Sequence, residues 1–136
     1  RDVLLASGST TDSAVVSNTF GHGVHFAPLA DFGLLHAAYH VAQECGIDVK
    51  VGDILAADRF YNDELDVKKL ADYGVLGTEM ESAGLYLLGA KLGFRALSVL
   101  TVSDLLFSEG KTTSEERERT FNNMITIALE AAIAKA

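Results

Sequence analysis

The chain contains one cysteine and one proline among its 136 residues, and it contains no tryptophan. Because a disulfide needs two thiols, Cys45 cannot form one within the chain, and a reducing compartment fits best. No run approaches the roughly 20 apolar residues that a membrane-spanning helix needs. No segment resembles a signal peptide. These absences predict a cytoplasmic protein with no membrane partner.

Basic residues are also scarce. The chain has 11 Lys and Arg against 19 Asp and Glu, which gives a net charge of −8 and a pI near 4.8. Such a charge argues against a nucleic-acid polymer as partner, although a small anion in a local pocket remains possible. The histidine pairs at 22/25 and 36/40 lack the cysteine or acidic residues that would complete a metal site, so we predict no metal.

Apolar segments that favour strands alternate with segments that favour helices. The predicted strands cover residues 2–7, 47–51, 75–80 and 95–102, and the predicted helices cover 31–46, 65–73, 81–91 and 113 to the C-terminus. A polar loop is predicted at 8–13. Helix ends are predicted from three local signals, which are Asp31 as an N-cap, Gly93 as a stop, and Thr113 with Glu116 as a capping box. The alternation predicts an α/β fold, and 136 residues suit a single domain over 1–136. Because the chain opens inside a strand-like run without methionine, we expect it to be the later part of a longer protein.

Two glutamates lie at the end of the third predicted strand. Glu79 and Glu81 are two apart, a spacing that puts both on one face of a strand with Met80 on the other. A carboxylate can accept hydrogen bonds from two hydroxyls, so this pair suits a vicinal diol such as ribose. The alternative is that Glu81 only favours the N-terminus of the next helix through the macrodipole.

An acidic residue also ends the last predicted strand. Asp104 follows Ser103 after a largely apolar run, where a carboxyl group can serve as general acid if desolvation keeps it protonated. A turn cap is the equally good alternative. Arg117 lies one turn into the last helix, where it either belongs to a solvated face or reaches Asp104 or a substrate anion.

Other candidates are weaker. Phe60 and Tyr61 lie in a polar loop and can stack on a planar base, although a loop aromatic more often covers the core. The hydroxyls of Ser9, Thr10 and Thr11 could bind phosphate, but they lack the glycine framework of a P-loop.

Taken together, these residues resemble the bacterial, hexamer-forming type of purine nucleoside phosphorylase, within the nucleoside phosphorylase and nucleosidase superfamily. The similarity covers essentially all of the chain, and the matching segments are 77–84, 101–104, 112–117 and 120–125, with weaker matches at 11–13 and 57–61. The Glu-Met-Glu segment is common to the superfamily. The Ser-Asp pair, followed thirteen residues later by Arg117, is more specific to the purine phosphorylases.

The resemblance implies a three-layer fold with a central mixed sheet flanked by helices, of which this chain would be the C-terminal part. It also implies cleavage of the purine–ribose bond by inorganic phosphate, giving free base and ribose 1-phosphate for purine salvage. Phosphate would be a co-substrate and no cofactor would be needed. The enzyme would be a homohexamer, a trimer of dimers.

The resemblance also implies roles for individual residues. Glu81 would hold the ribose hydroxyls while Glu79 and Met80 line the sugar. Phe60 would pack on the purine base. Thr78 and Ser103 would lie near the base.

The proton donor of the family corresponds to Asp104, which would protonate purine N7 and so make the base a neutral leaving group. Arg117 would swing in as the first segment of the last helix closes, with a hinge at 108–111, and would stabilise the carboxylate that forms. The phosphate-binding residues of the family lie in an N-terminal portion that has no counterpart here. We therefore expect the isolated fragment to be inactive, and a water-using nucleosidase or a non-catalytic nucleoside-binding fragment are the alternatives.

Overall fold

A computed structural model describes residues 2–108 and 113–134. Helices and strands alternate along it, as the sequence predicts, except that two helices follow the first strand. The elements are β1 (Val3–Thr11), α1 (Val15–Phe20), α2 (Phe32–Glu44), β2 (Val49–Ala56), α3 (Val67–Asp72), β3 (Thr78–Glu79), α4 (Ser82–Leu92), β4 (Ser98–Thr101) and α5 (Ser114–Ala134).

The four strands form one mixed sheet in the order β3-β2-β1-β4. β1 and β2 run parallel and pair over their whole lengths, from Val3 opposite Val49 to Thr11 opposite Ala56. β3 continues the parallel part beside the end of β2. β4 runs antiparallel to the first half of β1, with Thr101 opposite Val3. β1 is therefore the central strand on which the sheet is built.

Helices cover both faces of this sheet. Val3 and Leu5 belong to a buried cluster with Ala38 of α2 and Ile127 of α5. Ala6 points the other way, into a second cluster with Tyr86 of α4. Because alternate side chains of a strand face opposite sides, the two clusters lie on opposite faces of the sheet. The three-layer α/β fold with a central mixed sheet is confirmed.

The predicted polar loop at 8–13 is wrong for residues 8–11, because β1 continues to Thr11. Backbone pairing with β2 holds this serine- and threonine-rich stretch in the sheet, although its side chains do not suggest a strand. The second strand also runs later than predicted, and the third and fourth are shorter. Long-range pairing decides these boundaries, and local composition does not record it.

A β-bulge interrupts β1 where its register against β2 shifts, between Ala6 and Gly8. An extra residue in one strand reverses the alternation of the side chains that follow it. Accordingly, Ala6 and Ser9 both face α4, although they are three residues apart. The bulge thus directs a hydroxyl of β1 onto the N-terminus of α4.

Local capping chemistry fixes several helix ends as predicted. The Asp31 side chain accepts a hydrogen bond from the Leu34 amide at 2.8 Å, and so caps α2. Thr113 and Glu116 exchange reciprocal hydrogen bonds at the start of α5, which confirms the capping box. These bonds, with the Thr113 amide the largest contributor, lower the pKa of Glu116. α4 ends at Gly93, whose φ of 74° is left-handed.

The phenol of Tyr86 joins three elements. Its side chain is 1% exposed, and its hydroxyl donates to the Ala6 carbonyl at 2.6 Å and accepts from the Ser98 amide at 2.9 Å. Ala6 and Ser98 form the last pair of the β1–β4 ladder. The hydroxyl therefore bridges the two strands at the point where they separate, next to the bulge.

We expect Tyr86→Phe to destabilise the protein by about 1–3 kcal/mol, because it leaves a buried carbonyl and a buried amide without a partner. The midpoint of urea unfolding should fall while the slope stays unchanged. Tyr39→Phe on α2 is the matched control, since Tyr39 is 43% exposed. Equal midpoints for the two variants would refute the bridging role.

The same phenol predicts a pH dependence. Burial raises the pKa of Tyr86, although the Ser98 hydrogen bonds oppose the shift. The unfolded chain loses this proton first as the pH rises above about 10, so Tyr86 favours unfolding progressively from there upward. Unfolding measured between pH 9 and 11 should show a steeper loss of stability for the wild type than for Tyr86→Phe.

Candidate functional site

The first predicted half of the site lies where β3 meets α4. The Glu79 carboxylate accepts the Glu81 and Ser82 amides on Oε2, both at 2.9 Å, and the Ser82 hydroxyl on Oε1. Amides in the first turn of a helix have no partner within it. Glu79 supplies that partner, so its side chain caps α4 from the end of the preceding strand.

The prediction that Glu79 and Glu81 share a strand is wrong, because β3 ends at Glu79. Glu81 occupies the N-cap position of α4 and makes no side-chain cap bond. Its carboxylate is exposed and makes no hydrogen bond within the described residues. The two glutamates therefore differ: one is engaged by the helix, and the other is available to a ligand. The flanking Thr78 is exposed and Met80 is 42% exposed.

Phe60 lies at the same edge of the sheet. The loop that carries it leaves the end of β2, where the Ala57 amide donates to the Glu79 carbonyl at 2.8 Å. Asp12, just beyond β1, accepts the Asp58 amide at 2.9 Å and so holds the loop in place. The Phe60 ring stands nearly perpendicular to the Tyr61 ring and is 78% exposed, so it is accessible to a planar ligand.

Asp104 lies at the opposite edge. β4 is antiparallel to β1, so its end lies beside the start of β1, where the Val102 amide donates to the Asp2 carbonyl. Asp104 is exposed, and its Oδ2 accepts the Ser103 hydroxyl at 3.0 Å. From Val3 to Thr11, β1 covers roughly 26 Å if straight. Within the described residues, no hydrogen bond or ion pair joins Asp104 to either glutamate.

Arg117 lies near the edge that carries Asp104. The Thr101 hydroxyl donates to the Thr120 carbonyl at 3.3 Å, so the first turns of α5 lie beside the end of β4. The Arg117 guanidinium reaches only Ser114, at 3.5 Å, and no ion pair in residues 2–108 and 113–134 includes it. The predicted contact with Asp104 is absent from this conformation. Most of the predicted hinge at 108–111 lies outside the described residues.

A cleft of about 660 Å³ is lined by none of the residues to which the family resemblance gives a role. The second half of β1 and the loop at 22–29 line it. Asp53 of β2 forms one wall, where its carboxylate accepts the Thr10 amide at 3.0 Å and the Thr10 hydroxyl. Two sets of residues noted in the sequence line this cleft, the hydroxyl-rich Ser9–Thr11 segment and the histidine pair at 22/25.

Two further findings concern metals and membranes. His36 and His40 contact each other through their Nε2 atoms at 3.1 Å, yet the described part of the chain holds no group of three potential metal ligands. Among the helices that the structure describes, none combines the length and apolar character needed to cross a bilayer.

Sequence comparison identifies the family. A family model described as the phosphorylase superfamily matches residues 1–135, and the chain belongs to that superfamily.

The chain is also similar to proteins named purine nucleoside phosphorylase DeoD-type. It is 76% identical over 134 residues to one from Limosilactobacillus reuteri (strain DSM 20016), which covers 98% of this chain and 57% of the relative. It is 58% identical over 136 residues to one from Levilactobacillus brevis, which covers 100% of this chain and 57% of that relative. The chain therefore spans little more than half the length of the relatives it matches.

The cap on α4 predicts a difference between the two glutamates. Glu79→Ala removes the acceptor of two amides and should destabilise the protein by about 0.5–2 kcal/mol, the usual value of an N-cap. Hydrogen exchange at the Ser82 amide should accelerate. Glu81→Ala is the control, because that side chain makes no cap bond. A larger loss of stability in the Glu81 variant would contradict the assignment.

Proposed function

We propose that this chain carries the nucleoside-binding part of a purine nucleoside phosphorylase, which cleaves purine ribonucleosides and deoxyribonucleosides with inorganic phosphate. The observation that carries the proposal is the 76% identity to a relative of that name, over a segment that includes every candidate site residue. Phosphate is the co-substrate, and no cofactor is required. We also propose a role in purine salvage, a cytoplasmic location and a homohexameric assembly, by resemblance to the family.

In this proposal the edge formed by β3 and α4 holds the nucleoside. The free carboxylate of Glu81 accepts the ribose hydroxyls, as a carboxylate with two open oxygens can. Glu79 and Met80 line the sugar, and the open face of Phe60 packs on the base. Thr78 lies beside it. The exposure of Glu81 and Phe60 at one sheet edge supports this arrangement.

The chemical step requires the residues at the other end of β1, Asp104 and Arg117, to approach the bound nucleoside. Asp104 donates a proton to purine N7, Ser103 holds the Asp104 carboxyl group, and Arg117 stabilises the carboxylate left behind. Arg117 lies on the first turn of α5, and this turn is not bound to Asp104 in the described conformation. A movement of that turn would bring the guanidinium to the acid, as loop closure does in many enzymes.

A non-catalytic nucleoside-binding role is the second candidate for the 136 residues alone. The separation of Glu81 from Asp104 along β1 favours it for the isolated chain. Calorimetry would then detect nucleoside binding without product.

The first test is phosphate dependence in the full-length protein. Inosine and adenosine should release free base and ribose 1-phosphate only when phosphate is present. Release of free ribose without phosphate would instead identify a nucleosidase that uses water.

Asp104→Ala should lower kcat for adenosine by about 10²–10⁴-fold, the usual contribution of a positioned general acid. Asp48→Ala, at an exposed aspartate before β2, is the control and should leave turnover unchanged. Unchanged turnover in the Asp104 variant would exclude this residue as the acid.

Arg117→Ala should lower kcat more than it raises KM, because the guanidinium acts on charge that develops during proton transfer. Arg119→Ala removes an equal charge two residues further along α5 and should leave kcat near the wild-type value. Equal effects in the two variants would indicate only a general electrostatic contribution.

A further inference from the structure

Two buried serine hydroxyls face each other between β1 and α4. Ser9 is 2% exposed and Ser82 is 1% exposed, and their Oγ atoms lie 2.8 Å apart. A buried hydroxyl loses its hydrogen bonds to water and needs a partner inside the protein. The pair meets that need across 73 positions of sequence.

The direction of these hydrogen bonds follows from the third member, Glu79. A hydroxyl has a single proton to donate, and a carboxylate only accepts. Ser82 donates its proton to Glu79 Oε1, so it must accept the proton of Ser9. The result is a series of hydrogen bonds that all donate in one direction, from Ser9 to Ser82 and from Ser82 to Glu79.

The series of hydrogen bonds continues from Glu79 into the backbone of Glu81, whose own carboxylate is free. The other oxygen of Glu79 accepts the amides of Glu81 and Ser82. The orientation of the Glu79 carboxylate therefore fixes where the backbone of Glu81 lies. Three donors occupy Glu79, while Glu81 is exposed and without a hydrogen bond among the described residues.

We propose that Ser82, oriented by Ser9, is a positioning residue that sets the Glu81 carboxylate for the ribose hydroxyls through Glu79. The proposal rests on the proposed function, since it assigns a role to that same site. Ser82 and Ser9 do not touch substrate. Ser82 affects how well a ribose is recognised, and Ser9 mainly affects how stable the pair is.

Three variants of the full-length protein test this. Ser82→Ala breaks the link to Glu79 and should raise KM for inosine by about 2- to 10-fold, the effect of one hydrogen bond, with a smaller change in kcat. Ser9→Ala keeps the bond from Ser82 to Glu79, so KM should stay near the wild-type value while the unfolding midpoint falls. The double variant replaces both partners with apolar groups, which restores part of the stability. Its KM should nevertheless remain as high as that of Ser82→Ala.

A purely structural pair gives a different pattern, in which KM follows stability and recovers in the double variant. That pattern would overturn the proposal. The double variant also covers the case in which Ser82→Ala alone folds poorly, because no hydroxyl is then left without a partner.

The substrate provides a second readout. Glu81 acts on ribose hydroxyls, so Ser82→Ala should reduce the preference for inosine over 2′-deoxyinosine. An equal loss for both substrates would contradict the link to Glu81. The wild type separates the two claims: if it releases no base with phosphate, the proposed function fails and this inference fails with it. An active wild type with an unchanged KM in Ser82→Ala would overturn the positioning role alone.

Discussion

The structure depends on one hydroxyl, that of Tyr86, which lies between β1 and β4 at the point where the two strands diverge. β4 pairs with β1 only as far as Ala6, and beyond that point β1 bulges and continues without β4. Buried backbone groups left at such a divergence are costly. The Tyr86 phenol satisfies one from each strand, the Ala6 carbonyl and the Ser98 amide. Because Tyr86 belongs to α4, the same contact fixes where that helix lies on the sheet, and with it the Ser82 hydroxyl and the Glu79 carboxylate.

This arrangement divides the predicted site residues between two ends of one strand. The end of β1 lies beside the end of β2 and the cap of α4, where a free carboxylate and an open aromatic ring are exposed. The start of β1 lies beside the end of β4, where Asp104 and the first turn of α5 are found. The parallel partner and the antiparallel partner of β1 thus deliver their C-terminal residues to opposite edges.

Much of the fold could be predicted from local chemistry, and the rest could not. The N-cap at Asp31, the helix end at Gly93 and the capping box at Thr113 depend only on neighbours in sequence, and each is confirmed. The strand character of Ser9 was missed because it arises from pairing with β2, more than forty residues away. The direction of β4 was not available either, since composition does not distinguish a parallel from an antiparallel edge. Because strand direction decides which strand ends meet, the sequence indicates candidate residues but not which of them lie together.

The bulge in β1 has a consequence for how this strand can change. It divides the strand into two stretches whose side chains alternate out of phase, the first filling the core on both faces and the second presenting hydroxyls. Exchange of one side chain for another affects one contact, but loss of a single residue at the bulge restores one phase throughout. Ser9 would then stand two positions after Ala6 and still face α4, whereas a residue inserted between the bulge and Ser9 would turn the Ser9 hydroxyl toward α2 and α5, away from Ser82. The number of residues in β1 therefore constrains evolutionary change of this strand as strongly as their identity does.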